Sequence, residues 1–498
     1  MKRYTRSIKW ALIIIAVAYA LLLIPDRDQT ASSISSLPQK KQPFAWNRDA
    51  YWDTLEAKYQ ELMNAGCNDM SVVIDSDILK LNSLTGAMHR HVFSPDSKVF
   101  AELEQQTFKT GLLVSGCKML FPEYMRAMTG LRAVVKRQSR DWDMGSDRAR
   151  TTLYRLLYGS RAAEEEIILQ ASQESVPPAL IRGTDEPSQT PSVNVRGVEL
   201  HSGDILVSRG GAPTSALIAR GNDFPGNFSH IALLYVDPAT HEPRLIESHI
   251  EQGVVVSSVE EYIKDKKLRI MVLRLRADLP HLRKDPMLPH KAAGLALKNA
   301  TERHIPYDFE MDYKDHSKLF CSEVASAAYE PYGVTLWMGI SHISSPGLRR
   351  WLSAFGVTHF ETQEPSDLEY DPQLVVVAEW RDPETLRKDH MDNAVTDVML
   401  EGAEKGDELT YPWYLLPAAR VMKGYSAVLN LLGRVGPVPE GMSATGGIRT
   451  TYYMKKHDAI HERLEQKARE FKMKNGYEPP YWEMVKLARA AQGELERK

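Results

Sequence analysis

Apolar positions recur along this chain with three different periods, and each marks a different region. From Ala11 to Ile24 nearly every position is apolar, behind a basic flank of Lys2, Arg3, Arg6 and Lys9 and a bordering Trp10, and Pro25 stops the run. No polar face could turn outward from such a run, which predicts export or a membrane anchor with its N-terminus on the cytoplasmic side. It is short against the roughly 17 to 25 residues of a full span, but no Ala-x-Ala cleavage pattern follows at once. Residues 1–25 therefore read as a signal anchor in preference to a cleaved signal peptide. Either way the body lies outside the cytoplasm, in the periplasm if the source is Gram-negative. A helical period follows over residues 45–171, with Tyr51, Leu55, Tyr59, Leu62 and Met63 in one stripe and Leu153, Leu156, Leu157 and Tyr158 in another. Residues 172–194, with Pro177, Pro178, Pro187 and Pro191 among Ser, Gln, Thr and Glu, predict a linker.

Beyond residue 195 the pattern becomes short apolar runs between turn residues, which predicts strands. These are Gly203-Asp204-Ile205-Leu206, the run Phe228 to Tyr235 that carries His230, the run Arg244 to Ser248 that carries Glu247 and leads to Gly253-Val254-Val255, and later Leu374 to Ala378. A hairpin around the turn from Asp237-Pro238 to Glu242-Pro243 sets Glu247 opposite about Ala232, diagonal to His230 and within reach of it. His249, on the same alternating face, and Glu251 are the rivals for that position. Pro306-Tyr307-Asp308-Phe309 comes next, then Phe320-Cys321-Ser322-Glu323, which opens a helix-like run to Tyr329. Residues 383–498 read as mostly helical, with Gly and Pro breaks from Tyr411 to Pro439 and a charged helix from Lys455 to Lys474. The mixture is α+β.

Composition narrows the function. With 43% hydrophobic and 26% charged residues the remainder is globular, and the length allows two or three domains. Lys+Arg at 62 nearly balances Asp+Glu at 65, so no basic footprint invites nucleic acid. There is no glycine motif for a dinucleotide or nucleotide phosphate, and no cofactor is expected. The closest histidine pair, His89 and His91, has a spacing that suits neither a helical ligand pair nor a structural zinc site, so no metal is expected. A cysteine at a helix start is most often a small buried residue, but Cys321 comes with a strand histidine and a strand carboxylate, the parts of an activated thiolate. Helix-start N–H groups would lower its thiol and offer oxyanion donors. Tyr307 or Tyr313 could add a donor. Cys67 and Cys117, in the similar contexts Ala65-Gly66-Cys67 and Ser115-Gly116-Cys117, are expected to pair in an oxidising compartment, leaving Cys321 free.

The order of these segments resembles that of the circularly permuted papain-like hydrolases of the NlpC-type superfamily, in their YiiX/YaeF-like branch, over about Val195 to Trp380. The resemblance implies a catalytic domain over residues 195–382, with Cys321 as nucleophile, His230 as general base and Glu247 orienting the imidazole. Two features depart from the pattern: Ser248 stands where a small apolar residue is usual, and the connection from Val236 to Pro243 is long. The implied activity is hydrolysis of an amide, with cell-wall peptide the natural extracytoplasmic substrate. An acyl-lipid hydrolase or acyltransferase is the alternative within the superfamily, and a non-catalytic scaffold or binding protein the alternative outside it. The expected architecture is a permuted papain-like core with flanking helical regions and an N-terminal membrane anchor.

Overall fold

The computed structural model describes residues 71–171, 179–265, 267–432 and 434–497, with scattered positions between 10 and 61. Four helices come first: α1 (Ser71–Arg90), α2 (Lys98–Gly116), α3 (Phe121–Gln138) and α4 (Asp147–Gln170). The Ser146 hydroxyl caps α4 by accepting from the Ala149 N–H, and the Leu153, Leu156, Leu157 and Tyr158 stripe is buried as its spacing predicts. The earlier stripe from Tyr51 to Met63 lies outside the described residues. So does Cys67; Cys117 is disulfide-bonded and Cys321 is free.

The strands are β1 (Leu180–Arg182), β2 (Ser192–Val195), β3 (Val198–His201), β4 (Ile205–Gly210), β5 (His230–Val236), β6 (Pro243–His249), β7 (Gly253–Ser258), β8 (Lys267–Leu275), the short β9 (Ser341–His342) and β10 (Glu361–Thr362), and β11 (Leu374–Arg381). Seven of them form one antiparallel sheet in the order β1-β11-β8-β4-β5-β6-β7. The predicted hairpin is β5–β6, and its register sets Glu247 directly opposite Ala232. Alternation then sorts the core. Ile205, Val207, Ile231, Leu233, Ile246, Met271 and Leu273 face one layer, which includes α5 (Leu288–Glu302) and α6 (Glu323–Tyr329), while Leu206, Ala232, Leu234, Leu245, Val272 and Ala378 face the other way.

The expected linker needs correction. Its residues 180–182 are an edge strand, paired Leu180 to Trp380 on β11, and Ser192–Val195 begins a hairpin closed by Arg196 and Gly197, both at positive φ. Proline-rich sequence is compatible with this because edge strands and their flanks leave N–H groups unused. Nor are the helical regions loosely tethered. From α4, Glu164 pairs with Arg381 and Glu165 with Arg269; Arg269 also pairs with Asp389 on α7 (Pro383–Glu404), and Arg161 pairs with Glu369. All of these side chains are buried, so leaving any one unpaired would cost several kcal/mol. The chain ends with α8 (Leu416–Leu431), α9 (Ala444–Asn475) and α10 (Tyr481–Glu496). No described helix is long and apolar enough to cross a membrane; the N-terminal run is described only in part, helical and exposed at Ile13, Ile14, Val17 and Leu21.

Candidate active site

Cys321 lies in the turn that leads into α6, one residue before the helix N-cap Ser322. Three contacts fix that turn. The Glu323 carboxyl accepts from the Phe320 N–H at 2.8 Å, the Ser248 hydroxyl donates to the Leu319 carbonyl at 2.6 Å, and the Leu319 N–H donates to the Pro306 carbonyl at 3.0 Å. Ser248, one of the departures from the family pattern, thus ties strand β6 to the cysteine turn. Upstream, the Asp308 carboxyl accepts from the Glu310 and Asp312 N–H groups and shapes the loop carrying Tyr307.

On the sheet, His230 Nε2 lies 2.8 Å from Glu247 Oε2. A carboxylate only accepts, so Nε2 carries the proton and Nδ1 is the basic nitrogen. Glu247 also accepts from Ser257 Oγ at 2.6 Å and pairs with His249 Nε2 at 3.2 Å. Of the two rivals named from sequence, His249 is therefore a partner of Glu247, while Glu251 is exposed. The cysteine meets the same strand: Cys321 Sγ is 3.9 Å from the Ser229 carbonyl oxygen and is hydrogen-bonded by the Ile231 N–H, the main-chain groups on either side of His230. No hydrogen bond joins Cys321 to His230 among the described residues. The Cys321 N–H has no acceptor among them either, which leaves it free for a developing oxyanion.

The electrostatics differ from the sequence expectation in one respect. Burial, followed by the neighbouring Glu364 carboxyl, pushes the Cys321 thiol up to about 12. The helix start was expected to lower it, but α6 has only seven residues and desolvation outweighs its N–H groups. Burial also lowers the His230 imidazole, an effect that Glu247 partly offsets. Glu247 would be raised by its own burial, yet the hydrogen bonds from His230 and His249 hold it well below the usual carboxylate range. Glu364, buried and further disfavoured by Asp367, is raised well above that range, which favours its neutral form. Sequence reasoning missed Glu364, which sits in a short non-periodic segment between β10 and a 3-10 turn at Pro365–Tyr370. Of the two tyrosines, Tyr307 is the one beside the thiol: its hydroxyl is raised by burial first and by Cys321 next.

His230, Glu247 and His249 also bring one ligand atom each within 4.8 Å of one another. Two imidazoles and a carboxylate are a donor set suited to a divalent transition metal. The strand period had already set His249 on the face of Glu247, but as a rival for its role; read as rivals, the three side chains were not recognised as one donor set.

Residues 199–377 match the model of a family described as permuted papain-like amidase enzyme, YaeF/YiiX, C92 family. The domain is accordingly a papain-like cysteine hydrolase of the amidase and peptidase class, as the order of its motifs implied. Among solved structures, the crystal structure of metalloprotein yiiX from Escherichia coli O157:H7 is similar, 19% identical over 36% of this chain and 98% of that chain, with a TM-score of 0.30. No curated protein matches.

Proposed function

We propose that the chain hydrolyses an amide bond by covalent catalysis at the outer face of a membrane, with Cys321 as nucleophile, His230 as general base and Glu247 as the residue that orients and charges the imidazole. The observation that carries this is the Glu247–His230 hydrogen bond on the strand whose main chain holds the Cys321 sulfur. His230 takes the thiol proton on Nδ1 as the sulfur attacks the carbonyl carbon, and Glu247 stabilises the imidazolium that forms. The Cys321 N–H donates to the oxyanion. The amine leaves with the proton from His230, and water, activated by the same nitrogen, releases the thioester. Cell-wall peptide is the substrate class proposed first, from the extracytoplasmic placement that the N-terminal basic and apolar run suggests.

The test is incubation with cell-wall fragments and, in parallel, acyl lipids, with products read by mass spectrometry. Cys321→Ala and His230→Ala should each abolish turnover; turnover that persists in Cys321→Ala removes the cysteine mechanism. Cleavage confined to the lipids would replace the amidase reading by the acyl-lipid one. A second reading rests on the His230, Glu247 and His249 donor set. A divalent cation there would act as a Lewis acid, and the two residues would then be unavailable for thiol activation.

A further inference from the structure

Helix α8 wears its amphipathic pattern inside out. Its buried residues are Leu416 and Pro417 at one end and Ser426 in the middle, whereas Val421, Tyr425, Val428 and Leu432, which recur at spacings of four, three and four, are 63, 53, 54 and 69% exposed. Met422 and Leu431 flank that stripe, and Trp413 and Tyr414 extend it at the helix start, all exposed. A contiguous outward apolar face of this kind needs an occupant.

The charge pattern indicates which. Between Glu408 and Glu440 the sequence has no acidic residue, while Arg420, Lys423 and Arg434 are basic. A segment with only basic charges beside an apolar face suits an anionic lipid surface, to which basic residues are drawn. Exposed Trp and Tyr rings are the side chains that settle at headgroup level. An independent contact points the same way. The Arg420 guanidinium donates to the carbonyls of Leu21, at 3.0 Å, and Ile24, at the C-terminal end of the N-terminal apolar run. Carbonyls at a helix end lack helical partners and favour a cation. The chain thus brings together its two exposed apolar segments, which are nearly 400 residues apart in sequence.

We propose that α8 and the Trp413–Tyr414 turn lie in the interface of an anionic lipid bilayer, flat against it, beside the point where the N-terminal run leaves the membrane. This rests on the membrane-directed reading of that run and adds a second, peripheral contact. Its consequence is placement of the active site. The Lys423 ammonium donates to the Pro439 carbonyl at 2.7 Å, Glu440 pairs with His304 at 2.7 Å, and Gly441 lies so close to Phe309 that an added Cβ would sit 2.5 Å from the ring. The loop carrying Tyr307 and Phe309, one wall of the cysteine site, is therefore coupled to the lipid-facing helix.

The test uses the full chain with an environment-sensitive fluorophore on Val428→Cys. Cys321 is buried and Cys117 is disulfide-bonded, so the exposed new thiol labels selectively at neutral pH. A control carries the label on Glu470→Cys, an exposed position in the C-terminal part of α9. On vesicles of phosphatidylcholine and phosphatidylglycerol the Val428 probe should blue-shift, brighten severalfold and be quenched by brominated acyl chains, while the Glu470 probe stays aqueous. Flotation of the same samples reads the N-terminal contact separately. Protein that floats with an unchanged Val428 probe overturns the α8 proposal and leaves the N-terminal reading standing; protein that neither floats nor shifts overturns both. A Val428 probe already shielded without lipid, in proportion to protein concentration, assigns the face to a second copy and overturns the proposal. Val421→Glu with Val428→Glu should abolish the response of a probe at Leu432→Cys; an unchanged response there overturns it as well.

Discussion

Cys321 at rest is a thiol, and its alkylation should say so. With the thiol pushed up to about 12, the ionised fraction at neutral pH is on the order of one part in 10⁵, against about one in 10² for a cysteine at its ordinary 9.0. The difference of about three units corresponds to ~4 kcal/mol. Only the thiolate reacts with iodoacetamide. Native protein should therefore alkylate at Cys321 roughly 1,000-fold more slowly than the guanidinium-unfolded chain at neutral pH, before any loss of access is counted. The sign of the pH dependence follows: the native rate should climb about tenfold per pH unit through the neutral and mildly alkaline range, with no plateau. Glu364→Gln keeps the burial and, because Glu364 is already pushed towards its neutral form, should leave the neutral-pH rate close to wild type and exceed it only at alkaline pH, where an ionised Glu364 would oppose the thiolate. Rates come from quenched time points and peptide mass spectrometry of Cys321. A native rate that levels off below neutrality would mean a stable thiolate–imidazolium pair and would refute the reasoning.

Glu247→Gln should lower turnover by roughly 10- to 100-fold, the equivalent of one charge-assisted hydrogen bond, and should leave the fold intact; loss comparable to His230→Ala would give Glu247 more than an orienting role. Glu323 is raised to about 9, chiefly by burial, so it contributes stability below the ordinary carboxylate range that is lost as pH rises towards 9. Glu323→Gln should flatten the fall in Tm between mildly acidic and alkaline pH, and an unchanged slope would contradict the assignment. Zinc, followed by calorimetry, should bind and slow turnover through His230, Glu247 and His249, and His249→Ala should weaken both effects; equal binding by the variant would exclude the donor set. Asp389→Asn should cost several kcal/mol by leaving the buried Arg269 and Arg209 short of a counter-charge. A variant within 1 kcal/mol of wild type by denaturant titration would make that network incidental, since an uncompensated buried charge costs about 3–5 kcal/mol.

The hairpin and its site were legible because their signals are local. Alternating apolar runs, a Pro-bounded turn and the strand period of two were enough to set Glu247 against Ala232, which is the register the sheet adopts. What escaped depends on contacts between distant residues. The run Glu164-Glu165-Glu166 has the charge of a solvated helix face, yet Glu164 and Glu165 are buried against Arg381 and Arg269, more than 100 residues away, and Glu166 accepts from the Tyr481 N–H. Glu364 carries no periodic signal; it is buried because the following turn docks on the histidine strand, where the Ser366 hydroxyl bonds both main-chain groups of Phe228. The edge strand at Leu180 was hidden by its proline-rich neighbours, since composition describes the flanks better than the three residues that pair.

The thiol pKa escaped for a different reason, and it bears on mechanism. A helix start and a nearby histidine are features of an activated cysteine, but whether they win is a contest of magnitudes against desolvation, and sequence does not report depth. Here Cys321, His230, Glu364 and Glu323 are all pushed towards their neutral forms by burial, whereas Glu247 is pushed towards its charged form by three hydrogen-bond donors. In the proposed mechanism such a site would form the ion pair only as the substrate carbonyl arrives, when the oxyanion replaces the thiolate as the seat of negative charge. The Cys321 N–H, which has no acceptor among the described residues, would be the donor to such a charge. Preorganised donors with no charge to stabilise at rest act on the transition state more than on the ground state, and that difference is what lowers a barrier.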